Sequence, residues 1–71
     1  MGSTKITNRI RSLRFMADEM TQQALAGAVG VTRQTIIAIE AGRYSPSLEV
    51  AFKIARVFDC SVDDVFAYPE E

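Results

Sequence analysis

The sequence predicts an all-α domain of five short helices, and three observations carry that reading. Apolar residues recur at three- and four-residue spacing along most of the chain, the period of a helix with one buried face. Hydroxyl residues suited to capping helix starts, Thr21, Thr32, Ser47 and Ser61, stand before four of these stretches. Gly30 and Gly42 stand where two of them stop, and glycine enters the left-handed backbone of a helix end at little cost. Together these signals place helices at about residues 8–17, 22–29, 33–41, 48–58 and 62–66.

Taken in order, residues 1–7 carry little pattern and read as a flexible lead-in, with Met1-Gly2-Ser3 resembling a vector-derived leader. Ile10, Leu13 and Ala17 form the apolar stripe of the first helix, and Arg9, Arg11 and Arg14 lie mostly off it. Of Phe15 and Met16, one must be partly exposed or cover a neighbour. The connection to the second helix contains no glycine, and its path is left open by the sequence, an extra helical turn being one way it could end. In the second helix, Ala24, Leu25, Ala28 and Val29 follow helical spacing, and Gly27 costs up to ~1 kcal/mol relative to alanine. Close approach to another backbone is the plainest reason for a glycine at that point.

Ile36 and Ile39 set the inward face of the third helix, which turns Arg33, Gln34, Ile37, Ala38 and Ala41 away from the core. Residues 43–47 form a loop. Leu48, Ala51, Ala55 and Phe58 then make one stripe of the fourth helix, with Val50, Ile54 and Val57 beside it. Ser61 and Asp64 have capping-box spacing, with aspartate in place of the usual glutamate, and start the fifth helix. Val65, Phe66 and Tyr68 either close the core or form a two-fold dimer contact, and residues 69–71 are a solvated tail. The organisation expected is one domain over residues 8–68.

Within this order, residues 21–43 (TQQALAGAVGVTRQTIIAIEAGR) are the most specific stretch. Two caps, the small Ala26 ten residues before Ile36, Gly30 and the Ile36–Ile39 pair coincide in the layout of a helix-turn-helix.

Composition narrows the chemistry. A chain of 71 residues makes one domain and buries only ~60% of its unfolded surface. It has no histidine and a single cysteine, so a four-ligand zinc site or an internal disulfide cannot be assembled. One cysteine also fits a reducing compartment. Cys60 reads as a small buried hydrophobe, because no adjacent basic residue lowers its pKa. No apolar run approaches the ~20 residues of a membrane span, and no signal peptide is visible. With no paired nucleophile and base, an enzyme is not expected, nor a cofactor, a metal or a small-molecule site. The net charge of −1 conceals an asymmetry: residues 1–43 carry six cations and three anions, residues 44–71 two cations and six anions. That polarity gives the helix-turn-helix half a basic face suited to phosphates.

At NRIRSLR, TQQALAGAVGVTRQTI, IEAGRYSPSLE and SVDDVF the chain resembles the helix-turn-helix regulators of the phage repressor and Cro type, the Xre family. The likeness spans roughly residues 8–66, nearly the whole chain. It implies a compact repressor-like domain that binds double-stranded DNA as a homodimer and regulates transcription in a prokaryotic cytoplasm, nucleoid-associated when bound. It also implies an ion pair between Arg14 and Glu40, joining the first and third helices, and a phosphate contact for Arg43. Two departures stand out. Six residues, FMADEM, separate Arg14 from Thr21 where many relatives have five, and Asp59 stands where relatives often have glycine.

Beside the resemblance, residue chemistry suggests the roles. Arginine pairs bidentately with guanine and glutamine with adenine, so Arg33 and Gln34 are candidate base readers, with Ile37 against a thymine methyl and Ala38 beside it. Gln22, at the start of the second helix, offers donors to a phosphate. Thr32 and Thr35 are further phosphate candidates, Thr35 reaching a phosphate or a base edge, or they serve only the cap. Tyr44 either reaches the same backbone or packs on Pro46. The competing reading is a protein-interaction module or antitoxin-type adaptor, with Ile37 packed on another protein.

Overall fold

Hydroxyl caps start four of the helices in the computed structural model, which describes residues 4–70. The order is β1 (Thr7–Asn8), α1 (Ile10–Met16), α2 (Gln22–Val29), α3 (Arg33–Glu40), α4 (Leu48–Val57), α5 (Val62–Val65) and β2 (Phe66–Ala67). Thr21, Thr32 and Ser47 each accept the backbone N–H three residues on, satisfying a donor that the helix itself leaves unpaired. Ser61 and Asp64 complete a reciprocal capping box.

The core is a single cluster of Ile10, Leu25, Ala26, Val29, Ile36, Ile39, Ile54, Ala55 and Val65, drawn from all five helices. Fully buried Ala26 lets α2 and α3 cross closely, as a larger side chain there would hold them apart. The inward face of α2 is thus Leu25, Ala26 and Val29, while Ala24 and Ala28 are exposed. On α4 the buried line is Ala51, Ile54 and Ala55; Leu48, expected in the buried stripe, is exposed.

The ends of the chain depart from the expectation of helix and loop. Thr7–Asn8 pairs antiparallel with Phe66–Ala67, with Thr7 opposite Ala67 and Asn8 opposite Phe66. The first helix therefore begins at Ile10 and the fifth stops at Val65, because the flanking residues are committed to this ladder. The lead-in is tied down from Thr4, whose N–H donates to the Gly42 carbonyl (3.1 Å) and whose hydroxyl accepts from Ser45 (2.8 Å). Residues 1–3 and 71, Met1-Gly2-Ser3 and the end of the tail, lie outside the described residues.

No extra turn follows α1. Ala17 ends it, and Asp18 (φ 62°) and Glu19 (φ 56°) take left-handed backbone in succession. Both Phe15 and Met16 are exposed, at 69% and 64%, where the sequence required at least one of them to be partly exposed or to cover a neighbour. Asp59 is also left-handed, at φ 56°, which is the mild strain expected where a glycine is missing.

Candidate nucleic-acid interface

The turn between α2 and α3 aims the second of these helices. Gly30 caps α2 at φ 86°, and the N–H groups of Gly30 and Val31 both donate to the Ala26 carbonyl (2.8 and 3.0 Å). This closes the last turn of α2 and reverses the chain within two residues. Thr32 then returns to extended backbone and caps α3. Its Oγ1 accepts the Thr35 N–H at 3.2 Å and lies 3.0 Å from the Thr35 hydroxyl, so both hydroxyls serve the helix start.

Arg33 and Gln34 follow in the first turn of α3 and are exposed, while Ile36 and Ile39 on the opposite side are buried. Ile37 and Ala38 are half-buried, so Ile37 is less open than the sequence suggests. It shares a shallow depression with Gln22, Asn8, Arg11, Glu40 and Ala41, which brings the starts of α1 and α2 against the outer side of α3. Arg43 and Tyr44 are exposed in the loop after α3. That loop is anchored by the Arg43 N–H on the Ala38 carbonyl (3.0 Å) and by the two bonds to Thr4.

Behind this surface, Arg14 binds Glu40 through two parallel bonds, Nε to Oε1 at 3.0 Å and Nη2 to Oε2 at 2.8 Å. Its Nη1 donates to the Met20 carbonyl at 2.8 Å, so one guanidinium ties α1, the connection to α2 and the end of α3 together. Such planar two-point pairing fixes orientation as well as charge. It also offsets the carboxylate that Glu40 places at the negative end of the α3 dipole.

Two residues of the depression carried no separate signal in the sequence. Asn8 donates its side-chain amide to the carbonyls of Ile39 (3.1 Å) and Glu40 (3.4 Å), satisfying the open end of α3, and accepts the Ile10 N–H (3.1 Å). Arg11 was legible only as one basic residue among several, yet it lies exposed beside Gln22.

The candidate dimer residues separate. Val65 is fully buried in the core and is withdrawn as a contact with a second chain. Phe66 is half-buried in β2, and Tyr68 is exposed. Cys60 is partly buried, and its thiol pKa is raised by desolvation and by the nearby Asp64 carboxylate, which keeps it protonated. Asp64 is held below the usual carboxylate range by its hydrogen bonds with Ser61. Among the described residues no helix is long and apolar enough to cross a membrane, and no cluster of metal-ligating side chains occurs.

α2, the Gly30 turn and α3 thus define a helix-turn-helix domain. A helix-turn-helix family model matches residues 10–65. An uncharacterized HTH-type transcriptional regulator of Archaeoglobus fulgidus is 50% identical over 64 residues, covering 89% of this chain and 90% of that protein. Another, from Methanocaldococcus jannaschii, is 47% identical over 64 residues, covering 90% and 96%. In fold, a candidate DNA-binding protein from Bacteroides fragilis superposes with a TM-score of 0.74 at 22% identity, over 87% of this chain and 98% of that one. The chain belongs to the Xre-like helix-turn-helix family of transcriptional regulators.

Proposed function

We propose that the protein is a sequence-specific, double-stranded DNA-binding regulator that works as a homodimer, with α3 of each copy in the major groove of one half-site. The observation that carries this reading is the open first turn of α3, where Arg33 and Gln34 stand clear of the fold on a rigidly capped helix start. Those two side chains supply the bidentate donors for guanine and adenine, and Ile37 and Ala38 offer apolar surface to a thymine methyl. Gln22 and the free N–H groups of α2 hold one phosphate from the side. Arg43 and Tyr44 hold another from the loop after α3, and the Thr32 and Thr35 hydroxyls, besides serving the start of α3, are further phosphate contacts. Two half-sites would then lie about 34 Å apart on one face of the duplex.

Selection of bound duplexes from a random pool tests this. The expected result is one enriched sequence with two-fold symmetry. Recovery of unenriched DNA, or of no DNA at low salt, contradicts it.

A further inference from the structure

Resting on the homodimer reading above, we infer that the seam between the two copies is the outer face of α4, packed antiparallel on α4 of the second copy. Leu48 and Phe52 stand one helical turn apart and are 72% and 54% exposed, although Ala51, Ile54 and Ala55 of the same helix are buried. At that spacing they form one apolar ridge along the helix. Glu49 and Lys53 flank the ridge with the same spacing, both exposed, their charged groups 3.5 Å apart.

The order of these charges selects the occupant. About a two-fold axis, antiparallel helices set Leu48 against Phe52 of the second copy and Glu49 against Lys53 of the second copy, twice over. A parallel pairing would set like charge on like. The C-terminal segment makes a poor seam for the same reason: Asp59, Asp63, Asp64 and Glu70 are exposed along it, and the cations near it, Arg9 by Asp64 and Arg56 by Asp59 among them, are fewer. Closing that segment on itself would bring an excess of carboxylates together. Tyr68, the remaining exposed candidate from the sequence, stands between Asp64 and Glu70 in the chain and is not needed by the α4 seam.

Two apolar side chains with a charged collar fall well short of the roughly 800 Å² per partner of a standard interface. The free dimer is therefore weak, in the micromolar range or above, and a duplex with two half-sites tightens it.

Sedimentation equilibrium of the full chain through the submillimolar range, alone and with such a duplex, tests the seam. Phe52→Lys should remove the dimer while leaving the helical circular dichroism and single-half-site binding unchanged. Glu49→Lys and Lys53→Glu should each weaken the dimer about tenfold, since each disrupts two symmetry-related exposed pairs. The double swap should restore it to within about threefold. A dimer unaffected by Phe52→Lys or by the single swaps, or not restored by the double swap, overturns the seam but leaves the homodimer reading standing. A wild type that stays monomeric both free and on the two-half-site duplex overturns both.

Discussion

The turn at Gly30 and the connection over residues 17–20 both leave a helix through left-handed backbone, yet only the first does so with glycine. Gly30 takes φ 86° with nothing within 4 Å of where a side chain would begin, so its geometry is a matter of local backbone alone. Asp18 and Glu19 take φ 62° and 56° with side chains attached, a conformation that costs L-residues about 1–2 kcal/mol each. They are held by the Glu19 and Met20 N–H groups on the Phe15 and Arg14 carbonyls, and by the Arg14 guanidinium on the Met20 carbonyl, which Glu40 of α3 clamps from far along the chain. The lesson is that one turn is written in its own residues, while the other adds a tertiary contact to local bonds that cross two strained residues.

That contrast breaks most visibly at Arg14. Arg14→Ala leaves the half-hidden Glu40 carboxylate and the Met20 carbonyl without their donor, and the pair's side chains are only 16% and 11% exposed. The expected loss is about 2–4 kcal/mol, a fall in Tm of roughly 10 °C or more in a thermal melt. Gly30→Ala should cost less, about 1–2 kcal/mol, because the strain is confined to one residue. Glu19→Gly should act in the opposite direction and stabilise by about 0.5–1 kcal/mol, relieving strain at the connection that lacks a glycine.

Gly27→Ala sharpens the same point inside α2. It lies mid-helix in open space, so alanine should raise stability by about 0.5–1 kcal/mol, opposite in sign to Gly30→Ala three residues later. No close approach to a backbone among the described residues explains Gly27.

The smallest effect is expected at the third left-handed turn, Asp59, where the Ser61–Asp64 box starts the next helix. The folded-state pKa of Asp64 is depressed, so the stability its carboxylate contributes is present above the ordinary aspartate range and is lost as pH falls through the depressed value. The Tm gap between wild type and Asp64→Ala should therefore narrow on acidification below that range. A gap independent of pH would mean that the carboxylate does not act as the cap.

Much of the fold was legible because its signals are local. The caps at Thr21, Thr32, Ser47 and Ser61, the glycine ends at Gly30 and Gly42, and the Ile36–Ile39 face each depend on neighbours a few residues away. The departures depend on partners far along the chain. Asn8 is extended because Phe66 pairs with it, and Leu48 is exposed although its spacing matches a buried stripe. At the candidate site, Arg33 and Gln34 were legible from position on a capped helix. The part played by Asn8 in closing the end of α3 was not, since only folding brings it to Ile39 and Glu40.

The account rests on base reading by the first turn of α3, and Arg33→Ala tests it most directly. Fluorescence-anisotropy titrations would compare wild type and variant on the selected duplex and on a scrambled one at matched salt. The predicted result is a loss of about 1–3 kcal/mol on the selected duplex, beyond any loss on the scrambled one. Equal losses on both duplexes, or none on either, would contradict it.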